Sequence, residues 1–524
     1  MIYDIADRFG KKMERFENIP ILYCLTVVFF YGVFRLLQDL FLEDFQYMVP
    51  SLLAHMIASL SAFLILLVIY HLATKERSDK IMGVLAVFLS TILLGPMIDF
   101  LLIRALGWTN FKHTYIPPHE STRELVIRFF TFFGLGKDLY SGTLDVTLGP
   151  SVGLIISVLV MLTLSFLYFY YKNESLIRST LFTFVIYFVL FMGSSTLIMM
   201  VKPLEMLGID PVPKIELRLW YHLLWILLLL VINFYLLRRE YFVGLLRRIR
   251  PFGLMHYLAM FAFGMGIGHV TEPLSRDQGT FFTTIFALSS VMIAWIFVLF
   301  LDELVGVSGL RNKKGEKHLL FDCIPLATAR LLTVVFFFLA IIYSYAGGST
   351  VLFLVLLFMG GSFFYSAPPF KLKSVPVISK LPIAVNSLIL VMLGRSITGD
   401  MFHIPWVVPI FFLTVFFLAV HFTDIKDYEV DLRNGVKTLP ILLGLKRAKV
   451  FTGVFFAVAM FSGYFVMDAV IDIPSSLATI IMASLAGAGA LGYYLISKDD
   501  FSENPVYMVY LIMVFLLTYV LFVI

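Results

Sequence analysis

The stretch IPWVVPIFFLTVFFLAVHFTDIKDYEVD, residues 404–431, joins an apolar run to a dense group of carboxylates. Its first part, residues 404–423, contains no Asp, Glu, Lys or Arg. A run of about 20 such residues is long enough to cross the ~30 Å core of a bilayer as a helix. The carboxylates of Asp424, Asp427 and Asp431 follow directly. The stretch therefore predicts a transmembrane helix that ends in a cluster of acidic residues.

Apolar runs of similar length recur along almost the whole chain. Of its 524 residues, 60% are hydrophobic and only 14% are charged, which lies well outside the composition of soluble domains. The runs are continuous, whereas transmembrane strands alternate apolar and polar residues. We therefore predict an all-α, polytopic transmembrane bundle of about 15 spans. The predicted spans lie near residues 20–43, 49–73, 81–105, 147–171, 176–200, 218–238, 253–272, 281–301, 324–346, 349–366, 377–397, 404–423, 448–470, 475–496 and 504–523.

The basic stretch from Arg238 to Pro251 separates the first six predicted spans from the last nine. We therefore predict two domains: residues 1–250, a six-helix membrane domain of unknown role, and residues 251–524, a nine-helix domain. The net charge of +5 is modest, and nothing in the sequence indicates a nucleic-acid partner.

The distribution of Lys and Arg among the loops predicts how the chain is oriented in the membrane. Counting loops alternately puts the basic loops on one side, together with the acidic cluster, and such loops face the cytoplasm. We therefore expect an integral, multi-pass membrane protein with cytoplasmic motif loops. In a prokaryote it would lie in the plasma or inner membrane.

The spacing of the acidic cluster predicts a metal site. If the helix continues, Asp424, Asp427 and Asp431 are at positions i, i+3 and i+7 and share one face. Three stacked carboxylates repel one another unless a cation neutralises them, and Mg²⁺ prefers such oxygen ligands. The alternative is a solvated helix end that happens to be acidic. Acidic residues at a helix C-terminus oppose the helix dipole, which makes that alternative less favourable.

A second stretch on the same predicted side, YSAPPFKLK at residues 365–373, carries lysines on a rigid turn. Adjacent prolines end a helix and fix an extended backbone. Lys371 and Lys373 are therefore expected at the level of the lipid headgroups, where an anionic substrate head would lie. The alternative is that these lysines only follow the general excess of positive charge on the cytoplasmic side.

Together, these stretches resemble the UbiA superfamily of intramembrane prenyltransferases. DIKDYEVD at residues 424–431, followed by Lys437, looks like the second aspartate-rich motif of that family. Residues 365–373 are similar to its Tyr-Ser-x-Pro-Pro-x-Arg/Lys-x-Lys segment, and Arg250-Pro251 resembles the Arg-Pro that commonly opens these enzymes. The resemblance covers roughly residues 250–524 and implies a UbiA-like nine-helix prenyltransferase domain.

The resemblance implies an enzyme that moves a prenyl (polyisoprenoid) group from a diphosphate donor to an aromatic or lipid acceptor, with Mg²⁺ as cofactor. The expected partners are a prenyl diphosphate, a lipophilic or aromatic acceptor, and membrane lipids. The implied catalytic and metal-binding residues are Asp302, Asp424, Asp427 and Asp431. The residues implied to bind the donor diphosphate are Arg311, Tyr365, Lys371, Lys373 and Lys437.

The first aspartate-rich motif of the family, Asn-Asp-x-x-Asp-x-x-x-Asp, is incomplete here. Only Asp302 matches, because Leu301, Val305 and Gly309 occupy the other positions. We therefore expect the second motif to carry most of the metal binding alone, and a transferase would need Asp302 to face it across one cavity. The alternative is a catalytically eroded, UbiA-like protein that binds or transports lipids.

Overall fold

The computed structural model of the chain describes residues 2–17, 19, 48–95, 97–98, 101, 129–130, 152–206, 214–275, 277–309, 324–434 and 437–523. These residues form helices and no β-sheet, and 12 of their helices are long and apolar enough to cross a membrane. The prediction of an all-α, polytopic membrane protein is therefore confirmed. The first predicted span, near residues 20–43, lies outside the described residues.

The described residues form two compact units, residues 1–242 and 243–524. The core of the first unit contains the fully buried aromatic side chains of Phe63, Tyr70, Phe88 and Phe169. Its helices are α1 (Ile2–Met13), α2 (Met48–Thr74), α3 (Ser78–Ser90), α4 (Val152–Asn173), α5 (Leu176–Met206) and α6 (Lys214–Leu237).

One charged cluster ties the first unit together at the end of α4. The ammonium of Lys172 lies 2.8 Å from Glu17 Oε1 and 3.2 Å from Glu76 Oε1, and the Tyr168 hydroxyl donates to Glu17 Oε1 at 2.9 Å. A charge at this depth is tolerated when it is paired, as it is here. The cluster is a self-satisfied packing feature. The predicted domain boundary at residue 250, and an unknown role for the first domain, stay predictions.

The second unit contains all nine spans that we predicted after residue 251, most with ends within about four residues of the prediction. The exception is the second of these helices, which continues to Gly309, so that Asp302 lies inside the helix. After a short helix α7 (Arg239–Arg248), the elements are α8 (Pro251–Thr271), α9 (Gln278–Gly309), α10 (Leu326–Ala346), α11 (Ser349–Ser366), α12 (Leu381–Arg395), α13 (Val407–Asp424), α14 (Tyr428–Asn434), α15 (Leu439–Leu443), α16 (Leu445–Val470), α17 (Ser475–Ser497) and α18 (Glu503–Val523).

Helices α8 and α12 cross in direct backbone contact. A Cβ added at Gly264 would overlap the carbonyl oxygen of Val391, and one added at Gly394 would overlap the carbonyl oxygen of Phe261. The two glycines therefore allow each helix to approach the main chain of the other, as small residues do in membrane helix packing. This crossing fixes α12, which carries cavity residues, against α8.

The span that carries the acidic cluster is not a regular helix. Within α13, residues Phe412–Phe416 form a π-helical turn and Val420–Asp424 a 3₁₀ turn, and α14 begins only at Tyr428. The three aspartates therefore do not lie on one continuous α-helix. The main chain nevertheless keeps a helical hydrogen bond from Asp431 N–H to the Asp427 carbonyl oxygen, at 2.8 Å.

Candidate active site

The second unit encloses a cavity of about 580 Å³ that brings the acidic cluster together with Asp302. Its wall includes four of the predicted site residues: Asp302, Tyr365, Asp424 and Asp427. The residues come from α9, α11, α13 and the turn after α13, so helices far apart in sequence converge on one space. This convergence is what the transferase interpretation required of Asp302.

Asp424 is held by two partners and is almost fully buried. The ammonium of Lys380, which precedes α12, lies 2.5 Å from Asp424 Oδ1. His421 Nδ1 lies 3.3 Å from Asp424 Oδ2, and its Nε2 lies 3.0 Å from the carbonyl oxygen of Val377. Each carboxylate oxygen of Asp424 therefore has its own partner within the protein.

Asp302 is also paired with a lysine. Lys373 Nζ lies 2.5 Å from Asp302 Oδ1, and the Ser366 hydroxyl donates to the same oxygen at 2.9 Å. The turn that joins α11 to α12 thus supplies a cation to each of two carboxylates. Lys373, predicted to bind the donor diphosphate, lies on Asp302 in this structure.

Asp427 and Asp431 lack such a cation. Among the described residues, neither has a Lys or Arg within ion-pair distance, whereas the neighbouring Lys426 pairs with Glu503 at 2.6 Å. Asp427 is exposed, but partial desolvation by its neighbours, together with the negative charge of Glu503, raises its pKa above the ordinary value. Burial, Asp427 and Asp424 raise the pKa of Asp431 to about 6. These two carboxylates therefore form the part of the cluster that a cation would stabilise.

The described residues offer two carboxylates, and no complete set of ligands, to a Mg²⁺ ion. Within the described part of the chain, no three His, Cys, Asp or Glu side chains are arranged to hold a metal ion by themselves. Mg²⁺, however, commonly keeps several waters and binds through one or two carboxylates plus substrate phosphates. Asp427 and Asp431 meet that smaller requirement. Asp302 and Asp424 are already neutralised by lysines.

Basic side chains line the same end of the cavity. Arg247, Arg250 and Lys426 belong to its wall, and both arginines are exposed without an ion-pair partner among the described residues. Lys380 and Lys426 already have carboxylate partners. The two arginines are therefore the cations of this wall that are available to an anionic ligand.

Two polar atoms deeper in the cavity are unsatisfied. The indole Nε1 of Trp295 and the Oδ1 of Asn386 are buried without a hydrogen-bond partner in the described residues. Trp295 is seven residues from Asp302 along α9, about 10 Å of helix. His256 at this depth is satisfied, because its nitrogens lie 2.7 Å from Tyr510 Oη and 2.8 Å from Ser387 Oγ. The cavity wall thus carries one buried donor and one buried acceptor that lack a partner among the described residues.

Four other predicted site residues are outside the cavity wall: Lys371, Lys373, Asp431 and Lys437. Lys371 and Lys437 are exposed, and Asp431 is half-buried. Arg311 is not among the described residues. Their predicted roles stay predictions.

Sequence reasoning did not single out Lys380, Arg247, Trp295 or Asn386. A lysine at the start of an apolar span is the one signal that was present, and it is also typical of a residue at the membrane surface.

Comparison with known proteins gives a family for the second half of the chain. Residues 318–521 match the model of the UbiA prenyltransferase family. No curated protein shows significant similarity to the chain.

Solved structures that resemble part of the chain include two UbiA homologs. One is from Archaeoglobus fulgidus and is bound to GPP and Mg²⁺. It is 19% identical to this chain, the match covers 54% of this chain and 100% of that chain, and the TM-score is 0.43. The other, an apo structure from Aeropyrum pernix K1, has 15% identity, covers 51% of this chain and 95% of that chain, and has a TM-score of 0.40. A structure of digeranylgeranylglyceryl phosphate synthase has 17% identity, 54% and 97% coverage, and a TM-score of 0.38. The family match thus identifies residues 318–521 of this chain as a region similar to the UbiA prenyltransferase family.

Proposed function

We propose that this protein is an intramembrane transferase that moves a prenyl group from a diphosphate donor to an aromatic or lipid acceptor, with Mg²⁺. The observation that carries the proposal is a single cavity with a charged end and an apolar interior, formed mainly by residues of the UbiA family region. Asp427, Arg247 and Arg250 line the charged end, as a donor diphosphate requires.

The proposed mechanism gives each part of the cavity a separate task. Arg247 and Arg250 bind the donor diphosphate and stabilise the negative charge that grows as it leaves. Asp427 and Asp431 would hold a Mg²⁺ ion, which would supply further stabilisation of the leaving diphosphate. The apolar interior, to which the rings of Tyr257 and Phe416 belong, excludes water from the allylic cation.

The acceptor is proposed to bind at Trp295 and Asn386. A hydroxyl group is able to accept a hydrogen bond from the indole Nε1 and to donate one to the amide Oδ1. A substrate hydroxyl is therefore a suitable partner for either atom. This chemistry is shared by phenols and by lipid alcohols, the two acceptor classes in the proposal.

Removing the Asn386 oxygen is expected to abolish the preference for a hydroxyl acceptor over its methyl ether, because only the hydroxyl donates a hydrogen bond. Asn386→Leu should raise the KM for the hydroxyl acceptor about tenfold. Trp295→Phe should raise the KM for both compounds, since either oxygen accepts from the indole N–H. Steady-state kinetics with a naphthol and its methyl ether measure this. Trp406→Phe is the matched control, since Trp406 is 72% exposed and outside the cavity wall. Unchanged discrimination in Asn386→Leu would contradict this acceptor site.

Binding of Mg²⁺ is expected to weaken below about pH 6. The raised pKa of Asp431 means that the folded protein holds this proton more tightly than the unfolded chain. Without a cation, this contribution to stability falls as the pH rises from about 4 to about 6. A cation competes with the proton for the ionised carboxylate, so its affinity should be about tenfold lower at about pH 5 than at neutral pH. The Mg²⁺-induced shift in melting temperature measures this; equal shifts at both values would contradict it.

Purified protein incubated with labelled prenyl diphosphates of several chain lengths, Mg²⁺ and candidate acceptors tests the proposed activity. We expect release of diphosphate that depends on an acceptor. Failure to bind or turn over any of the donors would reject the proposal.

A second candidate, a lipid-binding or lipid-transport protein without catalysis, is favoured by the lysine pairing of Asp302 and Asp424. Mass spectrometry of co-purified lipids distinguishes the two. A stoichiometric, intact lipid without turnover supports the second candidate.

A further inference from the structure

We propose that Lys380 takes the place of a metal ion at Asp424, so that the active site binds one divalent cation rather than two. The inference rests on the proposed function, because it concerns the cation that accompanies the donor diphosphate. Its basis is the 2.5 Å pair between Lys380 Nζ and Asp424 Oδ1, whose side chains are 7% and 12% exposed.

Basic side chains lie against both carboxylate oxygens of Asp424. Lys380 occupies Oδ1, and His421 Nδ1 lies 3.3 Å from Oδ2. The imidazole is itself oriented by the Val377 carbonyl oxygen, 3.0 Å from its other nitrogen. A metal ion at Asp424 would have to displace Lys380 and leave a buried ammonium without a counter-ion, which is strongly unfavourable. Asp424 is therefore an anchor for Lys380 and not a ligand for a cation.

Asp302 is also paired with a lysine, but through one oxygen only. Lys373 lies 2.5 Å from Asp302 Oδ1, and the Ser366 hydroxyl donates to that same oxygen. Asp302 belongs to the cavity wall, whereas Lys373 lies outside it. Lys373 and Lys380 thus each place a fixed positive charge beside one carboxylate of the cavity.

Asp427 and Asp431 are then the remaining pair for a cation. They are the members of the acidic cluster without a basic ion-pair partner in the described part of the chain. Two carboxylates, waters and phosphate oxygens complete the shell of one Mg²⁺ ion. The charge of the site is in this way divided between one exchangeable ion and two fixed lysines.

The number of bound ions tests this division directly. Mn²⁺ replaces Mg²⁺ in a titration of the full-length protein with inorganic pyrophosphate, followed by electron paramagnetic resonance. We expect one Mn²⁺ per chain with an uncoupled spectrum. Two Mn²⁺ per chain with spin coupling would overturn the inference.

Variants at Lys380 and Asp424 provide a second test. The double variant Lys380→Gln/Asp424→Asn removes both charges together, and its affinity for Mn²⁺ without pyrophosphate should stay within about threefold of the wild type. Loss of a metal ligand typically exceeds the roughly tenfold or greater effect of an outer-shell partner. A loss beyond about tenfold would therefore identify Asp424 as a ligand and overturn the inference.

The single variant Lys380→Gln leaves Asp424 buried without a cation. Its melting temperature without divalent cations should fall by at least ~5 °C. Mn²⁺ should restore the melting temperature by binding the unpaired carboxylate of Asp424. The matched control is Lys449→Gln, a buried lysine of the same unit that donates to the carbonyl oxygens of Lys498 and Asp499. In that control, Mn²⁺ should raise the melting temperature only by the shift seen in the wild type, and in Lys380→Gln by more than that shift. Equal Mn²⁺-induced shifts in the two variants would contradict the inference.

Binding of a labelled prenyl diphosphate to the wild type separates this inference from the proposed function. Absence of donor binding would reject the function. Intact donor binding together with two coupled Mn²⁺ ions would reject the single-cation site alone.

Discussion

Replacing Asp427 or Asp431 with alanine is expected to lower the rate of prenyl transfer by roughly 10³-fold or more. Loss of an outer-shell partner already lowers metal affinity or activity by roughly 10–100-fold, and loss of a direct ligand should cost more. These are the two carboxylates of the acidic cluster without a lysine or arginine partner in the described residues. Their loss removes the cation that stabilises the departing diphosphate. The effect should fall on kcat/KM, measured with a saturating acceptor and varied donor.

Glu429→Ala is the matched control for both aspartate variants. Glu429 lies on the same short helix α14, but its side chain is 81% exposed and pairs with Arg433 at 3.5 Å. We expect nearly wild-type transfer in this control. The melting temperature of each aspartate variant without Mg²⁺ should not fall, since removal of one carboxylate relieves repulsion with the other. Wild-type turnover in both aspartate variants would contradict the assignment of the cation site.

Gly264→Leu is expected to destabilise the second unit by about 3 kcal/mol, seen as a melting temperature lower by roughly 6–12 °C. The added side chain would begin at the carbonyl oxygen of Val391, so α8 and α12 would have to separate. Their separation would also displace Asn386 and Lys380, which lie at or near the start of α12. Donor binding should therefore weaken together with stability.

Gly360→Leu is the control for this helix crossing. Gly360 lies in α11, and a Cβ built there meets no atom within 4 Å. The same substitution should leave the melting temperature unchanged or raise it slightly, because leucine favours a helix more than glycine does. Equal melting temperatures for the two leucine variants would show that the α8–α12 contact is not the cause. Both proteins are compared in the same detergent by thermal unfolding.

The spans were predictable because each one satisfies its backbone hydrogen bonds internally, so length and apolarity alone reveal it. The convergence of Asp302 with Asp424 and Asp427 was also predictable, because their helices end on the same side of the membrane. In contrast, the pairing of Lys380 with Asp424 joins residues 44 positions apart. No local pattern encodes such a contact, and a lysine beside an apolar run has an ordinary explanation at the membrane surface.

The end of α13 lies within one residue of the prediction, but the break before α14 was not predictable. Spacing alone would place 424, 427 and 431 on one continuous helix, whereas the span ends in a 3₁₀ turn at Asp424, which pairs with Lys380. The cavity positions of Trp295 and Asn386 could not be predicted for a different reason. Each is a single polar side chain within an apolar run and belongs to no motif. Only the three-dimensional packing places a donor and an acceptor in the same cavity.

The π-helical turn at Phe412–Phe416 has a consequence for comparing this protein with its relatives. A turn of this kind holds about one residue more than an α-helical turn, as though one had been inserted. A pairwise alignment with a regular helix must therefore open a one-residue gap inside residues 412–416. Without this gap, either the residues before the turn or the aspartates after it will be aligned one position away from their equivalents. Equivalent residues will then be scored as substitutions.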